Sequence, residues 1–124
     1  MRKAGEQGSM LPGKRATRVG DLILREIADV ILRRVKDPRV RGATLTGINL
    51  SNDMKHARVY YSTIGGEEAI VEVQAGLDSA KGFIKRQIGF RMELKYIPDI
   101  VFMHDPSLEK GQRMEKLLQE LKAD

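Results

Sequence analysis

The residues best suited to chemistry lie in one stretch, residues 78–89, with the sequence DSAKGFIKRQIG. Three cations and two glycines share one side of a helical wheel there: Lys81, Lys85, Arg86, Gly82 and Gly89. Glycines on that side would let a ligand's backbone approach the helix closely. We expect the helix to break at Ala80-Lys81-Gly82, which would add a helix N-terminus whose amides attract anions. The pattern fits phosphate binding and an ordinary solvated Lys/Arg face about equally well.

Two further groups of cations could bind the same kind of ligand. Lys36, Arg39 and Arg41 surround Pro38 at the predicted end of the first helix. The helix dipole accounts for Lys36, whereas Arg39 and Arg41 lie beyond the helix and favour phosphate contacts. Residues 1–20 hold five basic residues and one acidic residue, and Arg15 and Arg18 are among them. That segment is either an RNA-binding arm or a solvated tail.

Catalytic motifs are missing from the sequence. His56 and His104 share no ligand motif, and there is no P-loop, dinucleotide fingerprint or nucleophile elbow. Asp53, Asp99 and Asp105 fall at predicted element ends, where aspartate commonly caps or turns the chain. We therefore predict no enzyme activity, no metal site and no cofactor.

The composition narrows the class of protein and partner. The chain has 124 residues, a formal net charge of +5 and no cysteine. This length predicts a single-core domain, and the positive charge favours an anionic partner. Without cysteine there are no disulfides, which fits a reducing cytoplasm. No apolar run approaches the roughly 20 residues of a membrane helix, so we expect no membrane association. We also predict a monomer.

The elements that must position these residues follow from hydrophobic periodicity. A helix is predicted over residues 18–36, with Thr17 as its N-cap and Asp37-Pro38 as its end. Residues 43–50 and 57–64 read as strands of a hairpin around the turn at 51–55. Residues 94–102 read as a third strand, with Pro98 at an edge or bulge. Tyr60 and Tyr61 point to opposite strand faces, so at least one should pack in the core.

The length of the middle helix supports the predicted break. Apolar residues recur every three or four positions from Ile70 to Ile88. One straight helix over residues 67–91 would span roughly 37 Å, whereas a compact chain of this size has a radius of gyration of roughly 14 Å. Gly82 is the weakest helix former near the middle.

These elements predict an α+β fold in the order α-β-β-α-break-α-β-α. A three-stranded sheet is covered by helices on one face. We divide the chain into a flexible basic arm (1–16), the folded domain (17–105) and a C-terminal helical tail (106–124). The tail carries Leu117, Leu118 and Leu121 on a narrow apolar stripe.

Several short motifs, in one consistent order, resemble those of bacterial ribosome-binding factor A. They are Thr17-Arg18-Val19-Gly20, Lys36-Asp37-Pro38-Arg39-Val40, Ala57-Arg58-Val59-Tyr60, Ser79-Ala80-Lys81-Gly82-Phe83-Ile84, and Pro98 with Phe102 and Asp105. Each motif is weak alone, and the resemblance extends over about residues 17–121.

The resemblance implies a type II KH-like fold, with the Ala80-Lys81-Gly82 kink where other KH domains carry a G-x-x-G loop. It also implies a non-enzymatic assembly factor that binds the free small (30S) ribosomal subunit. Its role would be late maturation of 16S rRNA, including 5′-end processing, and cold adaptation. The RNA-contacting residues are our assignment by position: Lys81, Gly82, Lys85, Arg86, Arg39, Arg41, Arg15 and Arg18.

Two alternatives remain open from the sequence. The chain could be a protein-binding adaptor that inserts Leu117, Leu118 and Leu121 into a partner's groove. A small hydrolase or nuclease would rest on scattered carboxylates such as Asp53 and Asp105.

Overall fold

The computed structural model describes residues 13–106 and 117–121. Helix α1 spans Lys14–Arg34, a 3₁₀ turn spans Pro38–Gly42 (the 38–42 turn), and strands β1 and β2 span Ala43–Leu50 and His56–Thr63. Helix α2 spans Glu67–Met92 and strand β3 spans Asp99–His104. Residues 117–121 are helical. The α+β class is confirmed. The remaining residues of the predicted arm and tail lie outside the described part of the chain.

The sheet has the order β1-β2-β3. β1 and β2 form the predicted antiparallel hairpin, with Ala43 opposite Thr63 and Leu50 opposite Ala57. β3 returns parallel to β2, because the long helix α2 carries the chain back along the sheet. The 51–55 turn and the start of β3 therefore lie at one end of the sheet, and the 38–42 turn lies at the other.

One face of the sheet packs against both helices and the other faces solvent. Buried positions alternate along β3 and along β2 as far as Tyr61, as expected of a half-covered sheet, whereas Ser62 and Thr63 at the end of β2 are both buried. The predicted inward set of β2, including Val59 and Tyr61, is buried, while Arg58 and Val101 are exposed. The core is completed by the following buried side chains: Ile23, Ile27, Val30, Val40, Leu50, Leu77, Ile84, Ile88, Ile100 and Phe102.

α1 begins earlier than the sequence predicts. Its N-cap is Gly13 rather than Thr17, so Lys14–Ala16 are helical and not part of a flexible arm. The backbone amide of Gly13 donates to Oδ1 of Asn52 at 2.6 Å, which holds the start of α1 against the 51–55 turn. Burial of Ala16 extends the apolar stripe by one turn. The third strand is also displaced, since it begins after Pro98 and not at Leu94.

The predicted break in the middle helix is wrong. α2 is one helix of 26 residues that continues through Ala80, Lys81 and Gly82. Its buried positions keep helical spacing on both sides of these residues: Val73, Gly76, Leu77, Ile84 and Ile88. Continuous packing outweighs the roughly 1 kcal/mol by which glycine disfavours a helix. Compactness did not require a break, because both halves of α2 find partners to pack against.

The glycines of α2 show where those partners are. A Cβ added to Gly76 would lie 2.9 Å from Cβ of Arg39 and from Cγ1 of Val40. A Cβ added to Gly89 would lie 2.6 Å from Cδ1 of Ile97. The absence of a side chain at Gly76 therefore lets the 38–42 turn pack closely on α2, and its absence at Gly89 lets the segment before β3 do the same. The expectation that Gly89 leaves room for a ligand is wrong, because Ile97 occupies that space.

Candidate nucleic-acid interface

The cations of α2 form a continuous patch with Gly82, which we call the α2 surface: Lys81, Gly82, Lys85 and Arg86. Helical spacing brings these positions together because residues three and four apart are neighbours on a helix. Gly82 is exposed, and a Cβ added there would meet only Nη1 of Arg86, at 3.5 Å. The guanidinium of Arg86 thus folds back toward Gly82. The predicted grouping on one side of the helix survives without any break in the helix.

The three cations of the α2 surface differ in whether a carboxylate is paired with them. Lys85 Nζ bonds Oδ1 of Asp99 at 3.1 Å, which joins α2 to the start of β3. Lys81 Nζ lies 3.9 Å from Oδ1 of Asp78, a long and exposed contact. Within residues 13–106 and 117–121, Arg86 has no carboxylate partner. Arg86 is therefore the cation on this surface most available to an external anion.

The electrostatics of Asp99 follow from this arrangement. The hydrogen bond from Lys85, followed by the charges of Lys85, His56 and Lys81, holds the pKa of Asp99 below its ordinary value. Asp99 therefore stays ionised at neutral pH. Its side chain is 72% exposed, so the Lys85–Asp99 pair is well solvated and contributes little to stability. An incoming phosphate could compete for Lys85 without breaking a buried contact.

Arg39 lies in a different setting, on the 38–42 turn. Its guanidinium Nη2 bonds Oδ2 of Asp37 at 2.6 Å, and its backbone amide donates to Oδ1 at 3.0 Å. Asp37 is the N-cap of this turn and Arg39 packs over Gly76. These hydrogen bonds lower the pKa of Asp37 and raise that of Arg39. The arginine that was assigned to phosphate holds the turn together in this structure.

The remaining predicted cations are Arg41, which follows Arg39 on the 38–42 turn, and Arg15 and Arg18 on α1. Arg41 is exposed and lines an apolar groove between α1 and β1. Arg15 and Arg18 are exposed on the first turns of α1, whose start is held at the 51–55 turn. They lie at the same end of the sheet as Asp99, the partner of Lys85, because Asp99 donates its amide to the Lys55 carbonyl at 2.8 Å. Arg15, Arg18 and Lys85 therefore lie at one end of the sheet, and Arg39 and Arg41 lie at the other. The two groups are separated by the length of β2, roughly 23 Å for seven steps along a strand.

Sequence reasoning missed three residues near the α2 surface. Lys55, His56 and Tyr96 line a cleft together with Asp99. Tyr96 is 75% exposed, and Lys95 Nζ lies 5.5 Å from the centre of its ring. The signal in the sequence is the Lys95-Tyr96 pair before Pro98, which lies in the segment predicted to begin the third strand. A second exposed aromatic residue, Phe90 near the end of α2, is 78% exposed.

Tyr61 is the tyrosine of β2 that packs in the core, as one of the two was expected to do. Its hydroxyl donates to Oε1 of Gln74 at 2.6 Å, and Nε2 of Gln74 donates to the carbonyl of Phe102 at 2.9 Å. Burial raises the pKa of the Tyr61 phenol. This tyrosine anchors α2 over β2 and β3 and is not available to a ligand.

In the described part of the chain, no three His, Cys, Asp or Glu side chains form a group that could hold a metal ion. His56 is the first residue of β2 and pairs with Asp99, whereas His104 is the last residue of β3 and pairs with Tyr61, so the two histidines lie at opposite ends of the β2–β3 pair. Asp53 acts as a turn cap, since its Oδ1 accepts from Ser51 Oγ and from the Lys55 amide. No helix in the described ranges is long and apolar enough to span a membrane.

Comparisons with known proteins place this arrangement in a family. A sequence model described as ribosome-binding factor A matches residues 15–118. Ribosome-binding factor A of Syntrophus aciditrophicus is 43% identical over 108 residues, covering 87% of this chain and 88% of that protein. A Thermotoga maritima protein described as a ribosome binding factor A has a solution NMR structure with a TM-score of 0.66 and 30% identity, covering 76% and 90% of the two chains.

A third comparison supports the fold. Ribosome binding factor A of Thermus thermophilus, as a homology model fitted into the cryo-EM map of a 30S–RbfA complex, has a TM-score of 0.61 and 21% identity. It covers 73% of this chain and 96% of that chain. The motifs, the α+β topology and the family match over most of the chain agree. The chain belongs to the ribosome-binding factor A family.

Proposed function

We propose that this protein is an assembly factor that binds the free small ribosomal subunit and contacts 16S rRNA through the α2 surface. It supports late maturation of that RNA, including 5′-end processing, and growth in the cold. One observation carries the RNA contact: Arg86 has no carboxylate partner in the described structure and lies beside an open Gly82. The family membership and the 30S complex of the Thermus relative support the choice of partner.

The electrostatics favour a phosphate backbone as the ligand. The three cations of the α2 surface lie on one helix, so they present charge at nearly fixed spacing. The first turns of α1 add Arg15 and Arg18 at the end of the sheet to which Lys85 is linked through Asp99. Cations that displace condensed counterions from RNA give an affinity that falls steeply with salt.

The test is the triple variant Lys81→Ala/Lys85→Ala/Arg86→Ala, measured for binding to purified 30S subunits over a range of salt concentrations. Loss of three single-strand phosphate contacts should reduce the salt slope by roughly 2 and weaken binding about 100-fold at 0.1 M salt. The control triple variant Arg25→Ala/Arg33→Ala/Arg34→Ala removes the same charge from α1 and should change the slope much less. Equal slopes for wild type and the α2 triple variant would refute the α2 assignment.

The α2 triple variant also tests the proposed role in 16S rRNA maturation. Cells that carry the α2 triple variant as their only copy should accumulate 16S rRNA with unprocessed 5′ ends, most strongly at low temperature. Normal 5′ ends in cells that express the variant at wild-type levels would contradict the proposed role.

A second candidate is a protein-binding adaptor, favoured by three exposed leucines. Leu117, Leu118 and Leu121 are 49%, 51% and 71% exposed on one helical segment. Deletion of residues 106–124 separates the two functions. Loss of activity in cells with unchanged 30S affinity would favour the adaptor, whereas full activity would remove it.

A further inference from the structure

A cleft of about 580 Å³ lies at the end of the sheet where β3 begins. It opens between the 51–55 turn and the segment that joins α2 to β3. Its lining combines apolar and polar side chains: Met54, Lys55, His56, Tyr96, Ile97 and Asp99. The volume and the mixed lining are typical of a small-ligand site with a few orienting polar groups.

The walls of the cleft are fixed by contacts within the protein. The amide of Asp99 donates to the carbonyl of Lys55 at 2.8 Å, so the two walls are hydrogen-bonded to each other. The 51–55 turn is held by the Asp53 carboxylate, and contacts of that carboxylate with Ser51 and Lys55 lower the pKa of Asp53. Ile97 packs into the space above Gly89. A ligand would therefore meet a preformed cleft.

The aromatic ring in this cleft is left uncovered. Tyr96 is 75% exposed, although it lies beside the half-exposed Ile97 in a chain with only three tyrosines. The ammonium of Lys95 lies 5.5 Å from the centre of its ring. An exposed ring with an apolar neighbour can bind a flat, apolar group by stacking. Nucleobases bind in this way, and each stacked base contributes substantially to affinity.

The cleft is continuous with the α2 surface. Asp99 lines the cleft and bonds Lys85, while Lys55 and His56 supply cationic and hydrogen-bonding groups on the other wall. A strand of RNA whose phosphates lie along Lys85 could place the next base against Tyr96. Because Lys55 lines the cleft and Lys95 lies 5.5 Å from the centre of the Tyr96 ring, positive charge accompanies an exposed aromatic ring, and single-stranded RNA fits this cleft better than an apolar protein segment does.

We propose that the cleft binds an unpaired nucleobase of single-stranded RNA, with Tyr96 stacking on the base and Lys55 and His56 contacting the adjoining phosphate. This inference rests on the proposed function, because it requires RNA at the α2 surface. It assigns a base-binding role to residues outside that surface. Stacking does not depend on salt, whereas phosphate contacts do, so the two contributions can be measured separately.

The test uses a short fluorescein-labelled oligouridylate and purified 30S subunits as probes, with Tyr96→Ala and Tyr96→Phe as variants. Tyr96→Ala should weaken binding to both probes by roughly 5- to 100-fold with an unchanged salt slope. Tyr96→Phe keeps the ring and should bind nearly as wild type does. An oligomer of abasic sites has no base to stack, so wild type and Tyr96→Ala should bind it equally weakly. Equal melting temperatures for wild type and the two Tyr96 variants would show that substitution at this exposed position leaves the fold intact.

Phe90→Ala is the matched control, because Phe90 is equally exposed but does not line the cleft. An equal loss in this control would overturn the assignment to the cleft. If Tyr96→Ala binds as wild type does, or if Tyr96→Phe loses as much affinity as Tyr96→Ala, base stacking by Tyr96 is contradicted. Neither result would bear on the proposed RNA contacts of the α2 surface. Loss of 30S affinity with normal oligouridylate affinity would mean a protein partner and contradict the proposal. If wild type binds neither probe, both the proposed function and this inference fail.

Discussion

The α2 surface and the 38–42 turn carry similar cations but use them differently. On the turn, Arg39 is held by the Asp37 carboxylate and packed over Gly76. On the α2 surface, Arg86 has no carboxylate partner within the described ranges, and Lys85 bonds a carboxylate that is mostly exposed. The number of cations is similar, with three on the α2 surface and two, Arg39 and Arg41, on the 38–42 turn. Binding capacity therefore depends on whether the fold has already paired each cation.

This difference has a structural cause. The 38–42 turn must connect α1 to β1 while touching α2, so its polar groups are satisfied locally by the Asp37 cap. The α2 surface lies on the solvent side of a helix whose opposite side is buried. Its cations make only exposed contacts with carboxylates, or none in the case of Arg86 within the described residues, so a partner can bind them without disturbing the core.

The largest expected effect compares the two glycines of α2 that meet these regions. Gly76→Ala places a Cβ 2.9 Å from Arg39 and Val40 and should force the 38–42 turn away from the helix. Gly82→Ala meets only the flexible end of Arg86 at 3.5 Å. Both changes gain similar helix propensity, so their difference isolates packing. Gly76→Ala should be less stable than Gly82→Ala by about 1–3 kcal/mol in urea unfolding.

Two outcomes of that experiment would weaken the comparison. Equal free energies of unfolding for the two variants would show that the turn is not packed tightly on α2. Destabilisation by Gly82→Ala would mean that Gly82 has a structural role, such as the kink that the sequence predicted.

A smaller effect concerns pH and the pairing of Arg39. The pKa of Asp37 lies below its ordinary value of 3.8, chiefly because the Arg39 side chain donates to it. The ionised form therefore stabilises the fold above pH 3.8, and this contribution is lost as pH falls through the lowered pKa. Asp37→Asn should reduce the melting temperature at neutral pH. Its difference from wild type should shrink as the pH falls below about 3.8.

Asp21→Asn provides the control for this pH series. It removes the same charge from α1, where the described structure records no ion pair for Asp21. A difference from wild type that is constant over the acidic range for Asp37→Asn would mean that Arg39 is not held by this carboxylate.

The sequence predicted most of the fold because its signals were local. The alternation in residues 57–63 and the Asp37-Pro38 helix stop depend on near neighbours, and both elements formed where expected to within a few residues. The break at Gly82 was predicted from a length argument, which could not account for the surfaces that pack on Gly76 and Gly89. Val40, which packs on Gly76, belongs to another element far away in the sequence, and Ile97, which packs on Gly89, lies beyond the end of α2.

The candidate site was predictable only in part, for the same reason. Helical spacing alone grouped Lys81, Lys85 and Arg86. The pairing of Arg39 with Asp37 involves residues only two apart, yet its role depends on the turn geometry that α2 imposes. The approach of Tyr96 to Lys55 and His56 joins two connecting segments about 40 residues apart in the sequence.

The most direct test of the central claim compares two single variants in 30S binding at several salt concentrations. Arg86→Ala should lower the salt slope by roughly 0.7 and weaken binding about fivefold at 0.1 M salt, because it removes one phosphate contact. Arg39→Ala removes the same charge but no RNA contact, so its slope should match that of wild type. A reduced slope for Arg39→Ala with a wild-type slope for Arg86→Ala would contradict the account.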